Sequence, residues 1–185
     1  MSRPGKFPGN TVKVRITPLT EIRGMRKADK RLVEHYIRCG FVKKDDVELF
    51  RHVDLVFPRT VTENGPRAYI TKYHLMAALK KAADELGIHR KNIDFNVIDA
   101  HGNRVDYIVI EPDLPLLAAR KVNKGLEIYE YIDPGYYMEF LCEATDVKAF
   151  LEALFWAGKN IGLFSRKKWG YGRFRADIVE TEQSG

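Results

Sequence analysis

The stretch Gly158-Lys159-Asn-Ile-Gly162-Leu-Phe-Ser165-Arg166-Lys167-Lys168-Trp169-Gly170-Tyr171-Gly172-Arg173-Phe-Arg175 holds the residue types best suited to chemistry with a polyanion. From Lys159 to Arg175 it carries six basic side chains, four aromatic rings and no carboxylate. Basic groups neutralise phosphate, exposed backbone amides cradle it, and Trp or Tyr rings stack on unpaired bases. Glycines at 162, 170 and 172 allow positive φ and let another chain approach closely. The same composition also suits a plain glycine-rich turn between a helix and a strand, with its charges solvated. Both readings stay open for this segment alone.

A second basic cluster follows the first predicted strand, where Arg23, Arg26, Lys27, Lys30 and Arg31 stand against Glu21 and Asp29. An ordinary solvated helix start is its alternative reading. Metal-free cleavage of RNA needs a proton shuttle near neutral pH, which histidine supplies. Of the five histidines, His35, His52, His74, His89 and His101, His74 is the candidate, because it falls early in a predicted helix and near its positive end. Each lone histidine fits a structural or exposed role better than a catalytic one. Cys39 and Cys142 lack metal-ligand spacing, no Walker-type loop appears, and the acid pairs Asp45-Asp46 and Asp84-Glu85 sit in solvated-looking surroundings. We therefore expect no metal, no cofactor and no catalytic residue.

These residues need a scaffold, and composition allows one. The chain has 185 residues, 45% of them apolar and 30% charged, enough for one large domain or a core with an elaborate insertion. The net charge of +6 and a pI near 9.2 make a polyanion a reasonable partner. No apolar run reaches the ~18–20 residues that span a bilayer. The first ten residues lack the apolar stretch of a signal peptide. The expectation is a cytoplasmic protein with two reduced thiols.

Thr11–Thr17 alternates apolar and polar residues as a half-buried strand does, with Val12, Val14 and Ile16 inward and Lys13 and Arg15 outward. Residues 19–70 read as a long insertion containing a short helix over Lys30–Arg38 and a polar loop over Thr60–Arg67. Thr71 caps a helix from Lys72 to Leu86, which Gly87 stops. Asn92–Asp99 and Arg104–Glu111 predict a hairpin, 113–124 a connection, and Leu126–Ile132 with Tyr136–Ala144 a second hairpin about Asp133-Pro-Gly135. Thr145 or Asp146 caps the next helix, whose Val147, Phe150, Leu151, Leu154 and Phe155 form an apolar stripe. Arg173–Glu180 reads as the last strand. Strand, insertion, helix, strands, helix, strand is the split β-α-β order of an α+β, ferredoxin-like (RRM-like) antiparallel sheet with two helices on one face.

Three stretches then resemble the RAMP superfamily of CRISPR-associated proteins. Ile16-Thr-Pro18-Leu19 ends a strand as members commonly do. Ala68-Tyr-Ile-Thr71-Lys-Tyr-His-Leu75-Met-Ala-Ala-Leu79-Lys80 stands where the family opens its first helix, although Thr71 and Lys72 occupy places often held by Pro and Gly. Tyr131-Ile-Asp-Pro-Gly135, with the following helix and Gly162…Gly170-Tyr171-Gly172-Arg173-Phe174, is similar to the family's later strand and glycine-rich signature. The resemblance implies one domain over 1–185, with 19–70 as a flap-like or thumb-like insertion and 158–172 as a glycine-rich loop. It implies a subunit that binds single-stranded guide RNA beside other protein subunits, or copies of itself, in a ribonucleoprotein. The RNA-contacting set would be Arg15, Arg23, Arg26, Lys27, Lys159, Ser165, Arg166, Lys167, Lys168, Trp169, Gly170, Tyr171, Gly172 and Arg173. A metal-independent endoribonuclease using His74 and an assembly protein that binds no RNA are the alternatives.

Overall fold

Alternation and capping decide the elements, and the computed structural model describes residues 10–164 and 171–179 of them. In chain order they begin with β1 (Thr11–Pro18), β2 (Ile22–Arg23), β3 (Arg26–Lys27), α1 (Lys30–Arg38), α2 (Val47–Phe50), β4 (Leu55–Val56), β5 (Arg59–Thr62) and β6 (Gly65–Thr71). There follow α3 (Lys72–Leu86), β7 (Phe95–Ile98), β8 (Arg104–Val105), β9 (Tyr107–Glu111) and β10 (Leu116–Val122). The last are β11 (Gly125–Ile132), β12 (Tyr137–Ala144), α4 (Val147–Asn160) and β13 (Phe174–Ile178).

The main sheet runs β13-β1-β12-β9-β6-β5, with β7 beside β12 and β8 beside β7. β1 is an interior strand: Val14 and Ile16 are fully buried, and the strand pairs antiparallel with β12 from Thr11↔Glu143 to Ile16↔Met138. Its other edge pairs with β13 from Val14↔Ile178 to Pro18↔Phe174. α3 and α4 pack together and bury Leu75, Leu79 and Ala82, and Phe150, Leu154 and Ala157, in the core they share with the sheet. Thr71 Oγ1 accepts from the His74 amide to start α3, and Gly87 ends it in the left-handed region at φ 70°. Asp146 caps α4 by accepting from Ala149 N at 3.1 Å. The order β1, α3, β7 and β9, β12, α4, β13 is the ferredoxin-like α+β arrangement that the sequence predicts.

Several local expectations are corrected. Thr60–Arg67 is a hairpin, not a loop: β5 and β6 pair from Arg59↔Ala68 to Thr62↔Gly65, and the turn is confined to the residues between them. Residues 116–122, expected as connection, form β10, which pairs with β11 from Leu116↔Tyr131 to Val122↔Gly125. β11 therefore makes no hairpin with β12. Asp133-Pro-Gly135 carries the chain from one sheet to another, with Asp133 Oδ1 accepting from Gly135 N at 2.9 Å. The other predicted hairpin is short, because β8 pairs with β7 while β9 leaves it to lie between β12 and β6. Phe155 points outward and is 44% exposed, so the buried stripe of α4 follows Phe150, Ala153, Leu154 and Ala157 instead.

A second sheet, β10-β11-β4-β3 with β2 on β11, carries its own apolar cluster of Val33, Tyr36, Phe41, Phe50, Val53 and Val56. α1 and α2 contribute to that cluster. Beneath this layer lies a buried ion pair between Arg59 and Glu130, whose side chains are 1% and 2% exposed. Glu130 also accepts from the Phe57 amide at 3.0 Å, and the Tyr36 ring lies 5.3 Å from the Arg59 guanidinium carbon. Such pairing is what makes burial of the two charges tolerable.

Candidate nucleic-acid interface

The segment leaving β1 and the two ends of the glycine-rich loop meet at one seam. Leu19 N and Thr20 N donate to the Arg173 carbonyl at 2.8 and 3.3 Å, and Arg173 N donates to Thr20 Oγ1 at 3.0 Å. Gly172 N donates to Glu21 O, and Leu163 N to Gly172 O, both at 2.9 Å. Gly162 and Gly172 adopt φ 83° and 81°, which glycine reaches without strain. A Cβ on Gly172 would collide with the Leu163 carbonyl, and one on Gly162 would lie 2.9 Å from the Gly172 carbonyl carbon. Phe164 takes φ 66°, and its ring packs 4.7 Å from that of His74 and 6.2 Å from that of Phe57.

Arg23 occupies the centre of this seam. Its guanidinium carbon lies 4.3 Å from the Tyr129 ring centre and 4.1 Å from that of Tyr171, and its Nε donates to Glu21 at 2.6 Å. Burial, reinforced by the neighbouring Glu21 carboxylate, pushes the Tyr129 hydroxyl up to about 12. Arg173 is partly buried, and its Nη1 is fully shielded with no hydrogen-bond partner among the described residues. Arg26 and Lys27, on β3, are exposed, as are Lys30 and Arg31 in the first turn of α1. Asp29, between them, is the cap of α1, accepting from Leu32 N at 2.8 Å.

Other predicted residues lie apart. Arg15 is on the sheet surface, sharing the Glu139 carboxylate with Lys13, with its guanidinium carbon 4.5 Å from the Tyr137 ring centre. Lys159, in the last turn of α4, lines a groove of about 600 Å³ with Leu86, Phe155 and Trp156. Ser165, Arg166, Lys167, Lys168, Trp169 and Gly170 lie outside the described residues. His74 serves the α3 cap: its Nδ1 lies 2.9 Å from Thr71 Oγ1 and accepts from Thr71 N at 3.3 Å. Burial lowers its pKa, which favours the neutral ring. Cys39 is exposed and Cys142 buried, the latter thiol pushed up to about 12 by burial. No group of three metal-ligating side chains occurs among the described residues. None of their helices is long and apolar enough to cross a membrane.

Thr20, Glu21 and Tyr129 belong to the seam but were not among the predicted residues. Tyr129 sits within an ordinary strand pattern, and only the pairing of β11 with β2, Tyr131 against Arg23 and Ile132 against Ile22, brings it close. No protein-family model matches the chain, and no curated protein sequence does. Among solved structures it is similar to a chain of a Type IV-B CRISPR complex. The match has a TM-score of 0.56 and 12% identity, covering 95% of this chain and 92% of the other. At that identity the likeness is one of fold.

Proposed function

We propose that the chain is a subunit of a CRISPR-type ribonucleoprotein that holds single-stranded guide RNA by its backbone, without cutting it. The observation that carries this reading is Arg173. A shielded guanidinium N–H without an acceptor is costly, and native structures satisfy such groups. A phosphate oxygen is the kind of acceptor it lacks, met once the guanidinium turns out of its shielded place, and the guanidinium fork suits phosphate geometry. Arg173 belongs to the seam shaped by Gly162 and Gly172, the exposed Arg26 and Lys27 follow the same strand-exit segment in sequence, and the basic run 166–168 belongs to the same loop in sequence. The fold shared with a chain of a Type IV-B CRISPR complex supports the setting, in which other protein subunits are partners. His74 is committed to a helix cap, which favours binding over cleavage.

The test is a salt titration of purified protein with labelled repeat RNA. Single strands give a log–log slope of about −0.7 per phosphate neutralised, so several contacts predict roughly −3 or steeper, with intact RNA recovered. Scrambled RNAs of equal length should bind within about tenfold of one another, because backbone and stacking contacts tolerate any base. A flat salt response overturns the reading. Metal-independent cutting would favour an endoribonuclease, and neither binding nor cutting an assembly protein.

A further inference from the structure

We infer that Arg23 is a positioning residue that pins the Tyr171 end of the glycine-rich loop onto β11, and that it does not itself contact phosphate. Its side chain is already engaged by two rings and a carboxylate. Tyr129 lies 4.3 Å from the guanidinium carbon and Tyr171 4.1 Å from it, while Glu21 takes the Nε proton at 2.6 Å. The side chain is only 11% exposed, and its charge is matched by a carboxylate. An arginine so placed has little to offer a phosphate, whereas a planar cation close to two rings holds both in position. Its own backbone is fixed as well. The next residue, Gly24, donates to Glu130 O at 2.8 Å, and a Cβ there would stand 2.6 Å from the Val56 carbonyl carbon, so the chain cannot slide. Arg23 thus joins three segments far apart in sequence: the β1–β2 loop, β11 and the end of the glycine-rich loop.

The affinity arm of the test rests on the proposed RNA-binding function; a second arm does not. A direct phosphate contact contributes about 0.7 to the salt slope, and a positioning residue contributes nothing to it. Arg23→Met is expected to weaken RNA binding about tenfold with the slope unchanged, whereas Arg26→Ala with Lys27→Ala should make the slope shallower by about 1.4. Arg23→Lys keeps the charge but loses the planar stack, so it should behave like Arg23→Met. Tyr129→Leu, which leaves the Arg23 charge in place, should reproduce the phenotype. Without RNA, amide hydrogen exchange at Gly172 and Leu163 should quicken about tenfold or more in all three pin variants while α3 amides stay protected. A slope shallower by about 0.7 in Arg23→Met, or wild-type affinity in Arg23→Lys, overturns the inference. Unchanged loop exchange also overturns it. If wild-type protein binds no RNA, the proposed function fails, and the exchange arm still decides whether Arg23 pins the loop.

Discussion

Gly172 hands its amide proton to the Glu21 carbonyl at 2.9 Å while its own carbonyl accepts from Leu163, so one glycine closes the loop and fastens it to the strand-exit segment. Its φ of 81° and the Leu163 backbone standing where a Cβ would go leave no room for a side chain. Gly87 has a similar φ of 70° but open space where a Cβ would stand. Alanine at Gly87 should therefore cost only the left-handed strain, about 1–2 kcal/mol. Alanine at Gly172 should cost more than that, roughly 3 kcal/mol or above, because Leu163 must move as well. Urea unfolding of the two variants checks the difference, and equal losses would mean that the close approach contributes nothing.

The buried Arg59–Glu130 pair should show strong non-additivity. Removing either partner strands a charge, at a cost of about 3–5 kcal/mol. Glu130→Leu should therefore destabilise the chain severely, and so should Arg59→Met. The double variant should recover part of the loss, though not all, because the Phe57 amide also loses its acceptor. Denaturant melts of the four proteins measure this coupling. Strict additivity would contradict it.

Helices and capping were the legible part of this fold. Thr71, Gly87 and Asp146 announce the ends of α3 and α4 because caps are local, and α1 falls on its predicted bounds for the same reason. Strand partners were not legible. Leu126–Ile132 looks like the mate of Tyr136–Ala144 because a Pro-Gly turn reads alike whether it folds a hairpin or bends the chain into another sheet. β11 instead finds β10, β2 and β4. The same non-locality hid Tyr129 from the seam. Arg23 was visible as a basic residue, but its two aromatic neighbours come from elements remote in sequence, so its engagement was not.

Stability should depend on pH through His74. Burial lowers its folded-state pKa below the ordinary histidine value, so the unfolded chain binds the proton more readily. The stabilisation from keeping the ring neutral is present above the unfolded value of about 6.5 and is lost as pH falls through the window toward the folded value. Protonation would also strip the ring of the Nδ1 lone pair that accepts from Thr71 N. Urea melts between pH 7.5 and 5 should show wild type losing stability on acidification, and His74→Gln losing less. Parallel curves for the two proteins would contradict this role.

The basic run 166–168 should act on binding and not on folding. Solvated charges contribute little to stability, so if this run is solvated, as its sequence reads, replacing Arg166, Lys167 and Lys168 by Ala should leave the melting temperature nearly unchanged. If each meets a phosphate, the salt slope becomes shallower by about 2. A variant that unfolds, or that keeps full affinity, would make this loop structural.

Arg173 should show the opposite signs for stability and function. Its shielded Nη1 lacks a partner among the described residues, a penalty of about 1–3 kcal/mol that the folded chain carries when no ligand is bound. Arg173→Met removes the unsatisfied group and retains much of the apolar stem, and the backbone bonds to Leu19 and Thr20 do not involve the side chain. The free protein should then melt at a higher temperature, by the equivalent of about 1 kcal/mol or more. RNA affinity should fall by at least tenfold, since a desolvated charge-assisted hydrogen bond to phosphate is lost. Arg173→Lys should bind better than the methionine variant yet remain below wild type, because an ammonium keeps the charge without the bidentate fork. Paired measurements of melting temperature and RNA affinity decide the matter: a variant that is destabilised and binds normally would show that Arg173 serves the fold alone.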